Sequence, residues 1–321
     1  MQERNRMRGL RVTASVSISL SLCIAAGCSQ GSAARSIPEF SGDAALALVK
    51  KQTDFGPRVP GSEANQRTLE WMESFLEPLA EVVQRQPFTA YNPFSGENVT
   101  CTNLIASFYP QNRRRIMLCA HWDSRPIADK EIPVINEPID GAVDGAAGTA
   151  IMLHLATILA EYEPTYGVDI VLFDAEDLGL AGAYPEFENW FQGSRYFASV
   201  AKQTGYSPWF AILVDLVGDQ EATYYKERIS VDYAPDVVQR VWDLAASLGI
   251  TQFKETAYPA SLWDDHWILN RDAGIPSINI TEMVDDYPYW HTLEDTYDKV
   301  SAESLAAVGK VLVAVLYPPQ S

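Results

Sequence analysis

Positive charge is what this chain lacks most: 24 lysines and arginines face 42 aspartates and glutamates, a formal charge of −18 over 321 residues. Such a balance argues against nucleic acid or an anionic membrane surface as a partner. Cysteine is also scarce. Of four, Cys23 and Cys28 fall in the first 28 residues, so Cys101 and Cys119 can form one disulfide at most. They flank YPQNRRR, a turn between two strand-like runs, a spacing compatible with a disulfide in an oxidising compartment and equally with two buried thiols. No internal repeat and no long low-complexity tract is present. The large excess of acids also means that any functional carboxylate must be told apart from many that only solvate the surface.

The first residues are set apart from the rest. Arg4, Arg8 and Arg11 precede an apolar stretch over 12–26 and then Gly27-Cys28-Ser29. That is the pattern of an export signal, too short to span as a mature helix. It resembles a bacterial lipoprotein signal, with Ala25-Ala26-Gly27 before a Cys28 that would be lipidated, although alanine rather than leucine stands three residues before it. The expectation is an exported chain on the periplasmic side of a bacterial membrane, touching that membrane only through lipid on Cys28. An ordinary secretory signal is the alternative. Residues 29–38 read as a polar linker. The 321 − 28 = 293 residues after the cysteine suit one large core better than two, so 39–321 is read as a single domain.

Helical periodicity marks 42–51, a second helix capped by Ser62 that carries Leu69, Met72, Phe75, Leu76 and Leu79, and further helices over 146–160, 235–248 and 302–315. Strand-like runs cover 82–88, 99–108, 116–120, 170–173, 210–217 and 277–281. Alternation of this kind predicts an α/β fold, a central mostly parallel mixed sheet with helices on both faces. In such sheets ligands bind beyond the carboxyl ends of the strands.

The acids at those ends carry the chemistry. Glu176 and Asp177 close the apolar run VDIVLFDA, where unpaired carboxylates are costly unless a cation or a proton transfer uses them. His121 and Asp123 follow a second apolar run, Asp215 ends a third, Asp144 sits in a Gly-rich turn, and a late WHT triplet supplies His291. Imidazole and carboxylate together favour zinc over magnesium or calcium, which prefer oxygen alone. Asp144, Asp177 and His291 fill three positions of a tetrahedron and leave Glu176 free to move protons. Asp144 could alternatively cap the following helix, and Asp264 and Asp265 could cap another. His154 and His266 read as structural. Trp290 and Tyr287, next to Pro288, read as a pocket rim, and the Gly- and aromatic-rich stretch 178–193 as a pocket wall.

The ordered motifs FGPRVPGS, CAHWDS, DGAAG, FDAED, VDLVG, DDH and YWHT closely resemble the zinc aminopeptidase clan and, within it, the glutaminyl cyclases and their bacterial relatives. The resemblance spans residues 55–317. It implies one zinc ion on Asp144, Asp177 and His291, Glu176 as general acid/base, Asp264 and Asp215 in a hydrogen-bonded network with it, and Trp290 in the substrate pocket. The two-metal aminopeptidases of the clan would instead use Asp144 as a bridge and add His121 and Asp215 as ligands to a second ion. The implied activity is conversion of N-terminal glutamine of peptides to pyroglutamate with release of ammonia. A zinc aminopeptidase is the rival reading, and a non-catalytic peptide-binding lipoprotein a third. Three positions depart from the animal cyclases: Glu176-Asp177 replaces consecutive glutamates, Gly182 stands at the offset of a tryptophan, and Asn279 replaces a histidine.

Overall fold

The computed structural model describes residues 37–180 and 187–318. The leader, Cys28 and most of the expected linker lie outside the described residues, as does Gly182. In chain order the strands are β1 (Val82–Asn92), β2 (Glu97–Phe108), β3 (Arg115–His121), β4 (Gly167–Phe173), β5 (Ala211–Val214), β6 (Tyr224–Lys226), β7 (Phe253–Ala257) and β8 (Ser277–Ile280). The helices are α1 (Gly42–Thr53), α2 (Glu63–Leu76), α3 (Gly148–Glu161), α4 (Gln192–Thr204), α5 (Arg228–Tyr233), α6 (Pro235–Ser247), α7 (Asp265–Ile268) and α8 (Ala302–Leu316).

Six strands make one mixed sheet in the order β1-β2-β4-β3-β5-β8. β1 and β2 pair antiparallel, as do β2 and β4, whereas β4, β3, β5 and β8 run parallel. Alternation along β3 divides the core between the two faces. Ile116, Leu118 and Ala120 join the large cluster that includes α1, α3 and α8, while Met117 and Cys119 pack with Phe197 of α4 and with Leu269 and Ile275. Each fully buried Val, Leu or Ile contributes about 1.5–3 kcal/mol. The stretch Ala142–Glu161, which ends in α3, is long and apolar enough to cross a membrane by composition, yet its window is 89% buried in this fold. α3 is a core helix.

Each expected strand exists with shifted ends, and the run read over 210–217 stops at Val214. Leu216, just beyond, adopts φ 43°, a backbone conformation that ends a strand. α5 and the short β6/β7 pair are too short to show a period, and α4, whose buried Phe197, Ala198 and Ala201 recur at helical spacing, also escaped the sequence reading. The open question over Cys101 and Cys119 closes in favour of two buried free thiols. YPQNRRR does join β2 to β3, but β4 lies between them. Next-nearest strands are about 10 Å apart, beyond the reach of a disulfide.

Candidate metal centre and active site

Parallel pairing of β3, β4, β5 and β8 brings His121, the Glu176–Asp177 pair and Asp215 to one edge of the sheet. Asp144 arrives from a kinked turn before α3, with φ −86° and ψ 91°, followed by Gly145 at φ 97°. A Cβ at Gly145 would lie 2.7 Å from the carbonyl oxygen of Asp123 and 2.8 Å from the His121 ring, so only glycine fits. Asp144 does not cap α3: Ala147 holds that position without a side-chain bond. Instead Asp295, deeply buried, accepts the backbone N–H groups of Val143 and Asp144 at 2.9 and 3.1 Å. Arg58 of the FGPRVPGS motif, also buried, donates to the carbonyls of Trp122, Asp140 and Gly141 at 2.9, 2.6 and 2.7 Å. That motif braces the turn that presents Asp144.

Asp144, Asp177 and His291 converge as one group of buried donors, and His121, Asp144 and Asp215 as a second. His291 Nε2 lies 3.6 Å from Asp144 Oδ2 and 3.4 Å from Asp177 Oδ1. Oδ2 of Asp144 and Oδ2 of Asp177 are buried and have no hydrogen-bond partner. Orphaned carboxylate oxygens this deep are expensive unless a cation completes them. Burial pushes the Asp177 carboxyl up to about 7, with His291 and Arg125 opposing and Asp144 adding. The residues therefore fit a divalent metal ion that takes nitrogen and oxygen donors.

The second group is closed on itself. His121 Nε2 meets Asp144 Oδ1 and Asp215 Oδ1, each at 3.1 Å, and its Nδ1 faces Asp123 Oδ1 at 3.3 Å. Burial works against charge on this imidazole, but Asp215 and the three hydrogen bonds raise its pKa well above the ordinary range. Asp215 also bonds to Asp264, whose own pKa is raised well above the usual by burial, Asp215 and Asp265, while that of Asp215 is lowered. Asn279 donates to Asp264 Oδ2 at 2.6 Å. The network expected of Glu176, Asp215 and Asp264 is thus assembled at its Asp215–Asp264 end, with Asn279 bonded to it in the place of the histidine.

Glu176 sits in the same cavity. Burial drives its pKa well above the carboxylate range, with Asp177, Asp264 and Asp265 adding and His121 opposing. A raised pKa is what a proton carrier near neutral pH requires. Five non-glycine residues at the site hold positive φ: Ala175 at 56°, Phe187 at 64°, Phe191 at 60°, Leu216 at 43° and His291 at 55°. Each costs about 1–3 kcal/mol.

The cavity encloses about 210 Å³. Asp144, Glu176, Asp215, Asp264 and His291 form its floor, and Phe187, Trp190, Phe191, Leu262, Trp263 and Trp290 are among its walls. Trp290 lines it as expected. Tyr287 does not: it is a buried core residue whose hydroxyl donates to Asp295 Oδ1 at 2.8 Å, so it supports the Asp144 turn rather than the substrate. The 178–193 stretch does wall the cavity through its described end, and Trp190 from that stretch supplies a tryptophan that the offset at Gly182 did not suggest. His266 pairs with Glu227 at 3.0 Å and His154 accepts from the Ser41 N–H at 3.1 Å, both structural.

Four contributors escaped the sequence reading: Arg58, Arg125, Asp129 and Asp295. Asp123 was noticed for its place after β3, but not for what it holds. None lies on a periodic face, and their partners are mostly distant in the chain, so the only signal was polar residues inside apolar context.

The sequence matches peptidase family M28 over residues 103–316. The fold is similar to a Bacteroides thetaiotaomicron glutaminyl cyclase solved with N-acetylhistamine bound, at 34% identity and TM-score 0.84, covering 89% of this chain and all of that one. A Zn-dependent exopeptidase from Parabacteroides distasonis is similar at 33% identity and TM-score 0.83, with 88% of this chain and 100% of that one covered. Aminopeptidase YwaD of Bacillus subtilis is 24% identical over 293 residues, 87% of this chain but only 58% of its own length. With two thirds of its length inside the family match, the chain belongs to peptidase family M28.

Proposed function

We propose that the protein is a zinc-dependent glutaminyl-peptide cyclotransferase, which closes the N-terminal glutamine of peptides to pyroglutamate and releases ammonia. The observation that carries this reading is the pair of orphaned oxygens on Asp144 and Asp177, the two carboxylates that converge with His291, next to a Glu176 of raised pKa. Zinc bound by those three side chains would polarise the γ-carboxamide carbonyl and stabilise the charge that develops on its oxygen. Glu176 takes a proton from the α-amine as its nitrogen bonds to the side-chain carbonyl carbon. It returns that proton to the amide nitrogen as the carbon–nitrogen bond breaks and ammonia leaves. Asp264, of raised pKa and bonded to Asp215, keeps this end of the cavity from accumulating charge. The aromatic walls exclude water and hold the chain folded for ring closure. At about 210 Å³ the cavity is smaller than the roughly 300–1,000 Å³ usual for drug-sized ligands, which suits a single terminal residue.

A second reading, a two-metal aminopeptidase, is favoured by the convergence of His121, Asp144 and Asp215. Against it stands the hydrogen bonding that already satisfies His121 Nε2, so one ion is the reading we adopt. The test is to incubate zinc-loaded protein with Gln-Xaa and Leu-Xaa peptides, measuring ammonia, free amino acid and metal per chain. Ammonia from the glutamine peptide at one zinc per chain is expected; free leucine at two metals per chain overturns it.

We also infer export and lipid anchoring at Cys28 on the periplasmic side, supported by the leader sequence alone. Fatty-acid labelling that persists in Cys28→Ala would refute it.

A further inference from the structure

Arg125 is fully buried, and all five of its N–H groups are spent within one small region. Nη1 donates to Oδ1 and to the carbonyl oxygen of Asp177 at 2.7 and 3.1 Å. Nε and Nη2 form a fork onto Asp129 at 3.0 and 2.5 Å, and Nη2 reaches the carbonyl of Gly179 at 3.1 Å. Asp129 Oδ1 in turn lies 3.1 Å from His291 Nδ1. A proton on Nδ1 directed at that carboxylate leaves Nε2 with a bare lone pair facing Asp144 and Asp177.

The same guanidinium lies 4.8 Å from the centroid of the Trp190 ring. Trp190 stacks on His291 with centroids 6.2 Å apart and planes 11° from parallel. It also presses on Gly179, where an added Cβ would come within 1.9 Å of the indole. One side chain therefore touches an acidic ligand directly, the histidine ligand through one carboxylate, and the wall of the cavity through its π face.

We infer that Arg125, acting with Asp129, is a positioning residue that sets the geometry of Asp177 and His291 together and ties both to Trp190. The inference rests on the metal reading above. Lysine cannot replace it, because a single ammonium offers three donors at one point rather than a planar fork of five. Arg115 provides an internal control: it is also an arginine mostly out of solvent, paired with Asp169 at 2.6 Å, but at the opposite end of β3 from His121.

The experiment is competition between the protein and a chromophoric chelator for zinc, on wild type, Arg125→Lys, Asp129→Asn and Arg115→Lys, with the urea midpoint of each metal-free protein. Arg125→Lys and Asp129→Asn should weaken zinc by about 10–100-fold and raise the peptide KM, while Arg115→Lys lowers the midpoint and keeps wild-type affinity. Zinc affinity unchanged in Asp129→Asn, or a loss that follows the midpoint across all three variants, overturns the inference. Should Arg125→Lys not fold, Asp129→Asn decides alone. A wild type that takes up no zinc sinks the metal reading instead, which keeps the two failures apart.

Discussion

Asp123 holds Glu176 by its backbone: the Glu176 N–H donates to Asp123 Oδ1 at 3.1 Å, and the next N–H, that of Asp177, donates to Oδ2 at 3.2 Å. One buried carboxylate thereby places the proposed proton carrier and a proposed metal ligand relative to each other. Replacing Asp123 by Asn turns one acceptor into a donor that faces an N–H, a mismatch worth about 1–3 kcal/mol. Turnover in Asp123→Asn should fall by at least tenfold with the protein still folded. Steady-state kinetics beside a far-UV spectrum check this, and wild-type turnover would remove Asp123 from the site.

Glu176→Gln keeps the shape of the side chain and removes its ability to carry a proton. The variant should retain zinc at wild-type stoichiometry and lose turnover by about 10²–10⁴-fold. Metal analysis and ammonia release, measured on one sample, separate the two. Loss of zinc would mean that Glu176 is a ligand.

Tyr287→Phe removes the bond to Asp295, which holds the turn carrying Asp144. The expected cost is about 1 kcal/mol of stability and a weaker hold on zinc. Because Tyr287 does not line the cavity, the KM of zinc-saturated enzyme should be unchanged. A raised KM would return Tyr287 to the substrate pocket.

Glu282 offers a pH test away from the cavity. Burial, followed by the charge of Asp219, pushes its carboxyl up to about 8, against an ordinary value of 4.5. Between those two pH values the unfolded chain has released this proton while the folded protein keeps it, so the group lowers stability as pH rises from about 4.5 to 8. Glu282→Gln should therefore raise the melting temperature at pH 8 and leave it nearly unchanged at pH 4.5. Thermal unfolding at both pH values checks the sign. An equal shift at both would show that the carboxyl does not titrate in that window.

The residue types of the centre and the alternation of strands and helices were legible in the chain itself, because both are local properties. An apolar run that ends in acids, a glycine-rich turn and an aromatic-histidine pair each declare themselves within a few residues, and parallel strands place such ends on one edge. What only tertiary structure decided was who satisfies whom. Cys101 and Cys119 stay apart because β4 inserts between their strands, Tyr287 turns into the core to reach Asp295, and Arg125 finds Asp177 and, through Asp129, a histidine 162 residues beyond that acid. Hydrogen bonds between buried groups depend on ångström-scale approach across distant segments, and spacing along the backbone does not encode that approach.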